Sequence, residues 1–130
     1  DGDHVTLVSW GAMMHETRLA ADQLAEEGIS CELVDVASLK PLDMDTILAS
    51  VAKTGRCVIV QEAPRAYGPA SEIAAGLAEH GLLNLFAPVL RVSGYDTVMP
   101  LARLEQHFIP DVERICKAVR SVIEQAPIGN

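Results

Sequence analysis

Aromatic residues are scarce in this chain of 130 residues, at 4%, and basic residues are outnumbered, with ten Lys and Arg against eighteen Asp and Glu for a net charge of −8. An excess of negative charge repels phosphate backbones and anionic headgroups, so neither nucleic acid nor a membrane surface is an expected partner, whereas a basic protein surface is. Cysteine is limited to Cys31, Cys57 and Cys116, an odd number at wide spacing with no Cys-x-x-Cys pair. That pattern excludes a disulfide scaffold and a zinc site, and it fits a reducing, cytoplasmic setting in which each thiol packs as a small apolar side chain. There is no uninterrupted apolar run long enough to span a bilayer and no basic region leading into an apolar one at the start. What is present is 49% apolar residues and 22% charged ones, ordinary for one globular domain, residues 1–130, able to bury roughly two thirds of its unfolded surface without staples.

Local patterns alternate. Val5–Ser9, Cys31–Val36 and Cys57–Val60 are short β-branched runs, with a weaker one at Val89–Val92. Between the first two, Met13, Thr17, Ala20, Ala21 and Leu24 mark one face of a helix that Gly28 closes. Asp43 offers a capping carboxylate to a helix with Met44, Ile47, Leu48 and Val51 on its apolar face. Gly68-Pro69 opens a third helix with Ile73, Ala74, Leu77 and Ala78 inward, a short helical turn is expected over Leu101–Glu105, and Pro110-Asp111 starts a last helix with Val112, Ile115, Cys116, Val119, Val122 and Ile123 inward. Strands and helices in alternation need crossover connections, so the expected fold is a three-layer α/β/α sandwich around a mostly parallel sheet. Ala126–Asn130 reads as a tail, and Asp1-Gly2-Asp3 as turn residues of a longer protein of which this chain is a fragment.

Residue chemistry alone shows little of an active site. The strand ends carry no Gly-x-Gly-x-x-Gly, no Gly-Lys-Ser/Thr loop and no Gly-x-Ser-x-Gly elbow. His4, His15, His80 and His107 lie far apart; His15, at the start of the first helix, is the best placed to act as a base, although a surface histidine is the simpler reading. Glu62 and Arg65 at the end of the third strand are expected to form a buried, structural ion pair. No acidic cluster points to a metal. These residues alone define a cytosolic α/β module with no visible catalytic, cofactor or metal site, and a free-standing flavodoxin-like binding or signalling module remains an alternative.

Several consecutive blocks add more. Val5-Thr6-Leu7-Val8-Ser9-Trp10-Gly11, Glu26 to Asp35, Leu39-Lys40-Pro41-Leu42-Asp43, Ser50 to Arg56, Glu62-Ala63-Pro64-Arg65, Ser71-Glu72-Ile73-Ala74-Ala75 and Ala87 to Val92 occur in order. Together they resemble the transketolase-like C-terminal domain of the beta subunit of thiamine-dependent 2-oxoacid dehydrogenases. Ser93-Gly94-Tyr95-Asp96-Thr97 followed by Pro100 looks most like the branched-chain (2-oxoisovalerate) version; pyruvate and acetoin dehydrogenases, transketolase and deoxyxylulose-phosphate synthase are the alternatives. Tyr67-Gly68-Pro69-Ala70 and Val98-Met99 depart from the family pattern.

The resemblance implies a five-stranded mixed sheet whose antiparallel first strand would precede Asp1. It also implies that thiamine diphosphate and Mg belong to the complete enzyme and not to this domain, which alone would be inactive. The implied partners are a second beta subunit, an alpha subunit, and the basic peripheral subunit-binding domain of a lipoyl acyltransferase. The partner contact is expected at Asp96, Glu105 and the tail at Asn130.

Overall fold

A computed structural model describes residues 1–98 and 102–125. Strand β1 (Val5–Ser9) is followed by α1 (Met13–Glu26), β2 (Cys31–Asp35), α2 (Met44–Thr54), β3 (Cys57–Pro64), α3 (Pro69–His80), a 3-10 turn at Leu82–Asn84, β4 (Leu90–Gly94), the short α4 (Glu105–Phe108) and α5 (Val112–Glu124). The four strands run parallel in the order β2-β1-β3-β4. The antiparallel strand that the resemblance implies is not among the described residues.

Alternation in the strands builds two cores. Val5 and Leu7 of β1 and Val58 and Val60 of β3 point to one face, where they meet Met13, Ala20 and Leu24 of α1 and Ile115, Cys116, Val119 and Val122 of α5. Val8, Cys57 and Ile59 point the other way, onto Ile47 and Val51 of α2 and Ala70, Ile73 and Leu77 of α3. Successive side chains of a strand project to opposite faces, so both faces of the sheet are covered and the three layers follow. Thr6 is the polar exception on the α2 side. It is satisfied by the hydroxyls of Ser50 at 2.9 Å and Thr54 at 2.8 Å, so the Thr6 hydroxyl is not stranded in the core.

The helix ends obey the sequence signals. Gly28, at φ 82°, follows α1, where its N–H donates to Ala25 and the Ile29 N–H to Leu24; this is the paired bond pattern of a Schellman stop, and Leu24 and Ile29 share the same core. Asp43 and Asp111 cap α2 and α5 by accepting from the N–H groups of Thr46 and Arg114. Arg120 of α5 grips Glu27 with two bonds, at 2.9 and 2.6 Å, and this pairing holds the Glu27 carboxyl below its usual range.

Four expectations need correction. The short helix is Glu105–Phe108, where Phe108 is the buried anchor, and not a turn ending at Glu105. Strand β4 runs to Gly94 and β3 to Pro64, because the two stay paired past a register shift between Val60 and Pro64. Ala78 faces solvent, since α3 buries only Ala70, Ile73 and Leu77. Gly2 is not an open turn: it is buried with its α-carbon against the backbone of Cys31, and the Gly2 N–H donates to Glu32 at 2.7 Å.

Candidate functional site

In a doubly wound sheet the ligand or partner surface lies beyond the carboxyl ends of the strands. Here that end is built by the segments after β3 and β4. Past Val60 the ladder resumes only at Pro64, opposite Gly94, so β3 has three residues where β4 has one. This bulge turns Glu62 outward. Glu62 is exposed and makes no ion pair with Arg65 among the described residues, so the expected buried pair does not form. The organiser of the loop is its neighbour Gln61, whose side chain is 1% exposed. Its amide donates to the Pro64 carbonyl at 3.0 Å and accepts from the Ala70 N–H at 3.0 Å, which ties the end of β3 to the start of α3.

Two more bonds link this loop to the one after β4. Asp96 accepts from the Ala66 N–H at 2.7 Å, and Arg91, the second residue of β4, donates to the Arg65 carbonyl at 3.0 Å and to the Ser71 hydroxyl at 2.7 Å. Beside them lies an open apolar groove of about 350 Å³ lined by Tyr95, Thr97, Val98, Leu104, His107 and Phe108. Tyr95 meets Phe108 edge to face at 6.4 Å, and the Arg114 guanidinium lies over the Tyr95 ring at 5.1 Å while donating to the Ser93 carbonyl. The aromatic pair and the arginine hold the groove floor in place.

Of the expected partner contacts, Asp96 is exposed and Glu105 half-buried. They flank the same groove, because their neighbours Tyr95, Thr97 and Leu104 line it. Asp96 has a structural duty that its sequence position did not reveal, and Asn130 lies outside the described residues. His15 is exposed in the first turn of α1, and Glu16, one residue on, lines a cavity of about 390 Å³ with Gln106 and Asp111. Gln61 and Arg91 escaped the sequence reading. A glutamine directly after an apolar strand and an arginine between two apolar strand residues were the available signals.

The thiols are poor nucleophiles. Cys57 and Cys116 are fully buried, and burial pushes Cys57 up to about 12 and raises Cys116 as well. Cys31 is half-buried on β2, an edge of the described sheet, yet burial still pushes it up to about 11. Only the thiolate reacts, so at pH 8 its reactive fraction is on the order of a hundred times below that of a free cysteine. A native labelling time course is expected to show Cys31 reacting slowly, and Cys57 and Cys116 only after unfolding. Immediate labelling of Cys57 would contradict the core described above.

This fold and this strand-end surface define a class: the chain belongs to the transketolase C-terminal domain family, which it matches over residues 1–115. Within it, the chain is similar to the pyruvate dehydrogenase E1 component subunit beta of Bacillus subtilis, at 43% identity over 95% of this chain and 38% of that protein. The Staphylococcus epidermidis subunit of the same name is 41% identical over the same shares. The chain thus spans well under half the length of these relatives. Among solved structures, an inactive beta4 tetramer of a split-gene transketolase superposes with a TM-score of 0.81 at 32% identity, covering 95% of this chain and 39% of that one. A 2-oxoglutarate:ferredoxin oxidoreductase from Magnetococcus marinus shares the fold alone, with a TM-score of 0.66 at 14% identity, over 95% of this chain and 18% of that one.

Among the described residues no three His, Cys, Asp or Glu side chains converge on one point. No helix among them is long and apolar enough to cross a membrane.

Proposed function

We propose that this chain is the subunit-interface and docking domain of the decarboxylating component of a 2-oxoacid dehydrogenase complex. The single observation that carries this reading is 43% identity, sustained over 95% of the chain, to a subunit named for that reaction. The complete enzyme would decarboxylate a 2-oxoacid on thiamine diphosphate and pass the acyl group to a lipoyl arm. This domain would contribute neither the cofactor site nor a catalytic residue. Its work is to join a second beta subunit and an alpha subunit and to present a surface to the acyltransferase. The relatives' names favour pyruvate as substrate. The branched-chain reading rests on Ser93-Gly94-Tyr95-Asp96-Thr97, of which Tyr95 and Asp96 shape the groove and its rim. Turnover of the assembled enzyme on pyruvate and on 2-oxoisovalerate, with an artificial electron acceptor, separates the two.

The uncovered groove between Asp96 and Glu105, with the chain's net charge of −8, supports docking of a basic subunit-binding domain at this end. Surface-plasmon binding of that domain to the assembled enzyme is the test. Glu105→Gln is expected to slow association and to flatten the salt dependence, with a loss of up to about 2 kcal/mol if the charge is desolvated in the complex. Asp96→Asn, which keeps an oxygen to accept from Ala66, is expected to act in the same direction but less, because Arg65 and Arg91 line a pocket with Asp96 and already offset its charge. If neither variant changes affinity or its salt dependence, the docking surface lies elsewhere, while unchanged family membership would leave the assembly reading standing.

A further inference from the structure

On the α3 side of the same two loops lies a second, shallow pocket of about 450 Å³, lined by Arg65, Ala66, Tyr67, Ser71, Arg91 and Asp96. In a chain where acidic residues outnumber basic ones by eighteen to ten, two of the ten basic residues line this pocket. Among the described residues neither arginine has a carboxylate within ion-pair distance. Asp96, the one acid of the lining, has an oxygen committed to the Ala66 N–H.

The arginine at the back is held in place. Arg91 spends one terminal nitrogen on the Arg65 carbonyl and the Ser71 hydroxyl, which fixes the guanidinium plane and leaves its other N–H groups unassigned. The Ser71 hydroxyl accepts that bond, so its own proton remains available to donate. The first-turn N–H groups of α3 are already used, that of Ala70 by Gln61 and that of Ser71 by the Gly68 carbonyl, so the free donors are side chains and not the helix terminus. Tyr67 completes the rim with a fully exposed ring. Glu72 lines the adjoining depression with Tyr67 and Ser71 and, with Asp96, limits the net positive charge.

We infer that this pocket binds a phosphate group, gripped between the Arg91 and Arg65 guanidinium groups with the Ser71 hydroxyl donating to a third oxygen. Two planar forks and a hydroxyl present donors from more than one direction, which matches a tetrahedral oxyanion better than the flat edge of a carboxylate. With two acids nearby the affinity belongs in the range of about 1 mM. The site is independent of the assembly proposed above, and its test involves no other subunit.

The test is a titration of the isotope-labelled chain with inorganic phosphate, followed by amide NMR shifts at constant ionic strength, with acetate as the competing chemistry. Saturable shifts confined to residues 65–72 and 91–96 are expected. Arg91→Gln is expected to weaken binding at least about tenfold. Because Arg91 also braces two loops, Arg65→Gln is the second variant: the Arg65 side chain makes no bond among the described residues, and its removal is expected to weaken phosphate binding several-fold with the fold unchanged. Shifts that never saturate, acetate binding as tightly as phosphate, or unaltered affinity in Arg65→Gln would each overturn the assignment.

Discussion

Gly94→Ala is expected to destabilise the domain by about 3 kcal/mol, since inserting a methyl group into a packed site with an immovable neighbour lies at the costly end of overpacking. Gly94 is buried where β4 meets β3 again after the bulge. A β-carbon there would lie 2.6 Å from the carbonyl oxygen of Glu62 and against the ring of Phe108. The ring could swing aside, but the carbonyl belongs to the β3 backbone, in a bulge held at both ends by the paired Val60 and Pro64. A loss of that size corresponds to a fall in Tm of roughly 10 °C for a domain of this length. The consequence reaches the surface, because Phe108 forms the groove floor with Tyr95. Thermal unfolding of the variant checks the energy, and a Tm within about 2 °C of the parent would mean that the β3 and β4 ends are not joined as described.

The second large effect is a contrast between two leucines that face each other across neighbouring strands. Leu7 and Leu33 are register partners in β1 and β2, yet Leu7 is wholly buried and Leu33 is 37% exposed. Leu7→Ala would leave a cavity between β1, α1 and α5 and is expected to cost about 3–5 kcal/mol, a large share of the roughly 5–15 kcal/mol that keeps such a domain folded. Leu33→Ala removes side-chain surface that water already reaches in part, and should cost about 1 kcal/mol. Urea unfolding of the two variants gives both numbers. Equal losses would indicate that β2 is covered by a further element in the folded protein.

The element pattern was legible because it rests on local rules. Alternating β-branched runs, the glycine after Glu27, the aspartates at 43 and 111 and the proline at 69 act within a few residues of themselves, so their effects survive in any tertiary setting. The same holds for the inward faces of α1 and α5, which helical periodicity sets. The block-by-block resemblance then identified the family that residues 1–115 match.

Tertiary structure decided everything that depends on which strand lies beside which. Sequence order places β2 between β1 and β3, whereas the sheet puts β1 beside β3 and leaves β2 at an edge, which is why Cys31 and Leu33 are only half covered. Glu62 and Arg65 are opposite charges three residues apart and read as a pair. The register shift turns the first outward, and the bonds from Arg91 and Asp96 fix the backbone around the second. Arg91 and Ser71 are twenty residues apart, as Asp96 and Ala66 are thirty apart, and no local rule connects them. They meet because parallel strands must be joined by crossovers that return each loop to the same end of the sheet, so the carboxyl-end surface is assembled from segments distant in sequence. The sequence by itself therefore determined the layers and the family, while the groove at Tyr95 and the arginine pocket exist only once the sheet has brought the loops after β3 and β4 together.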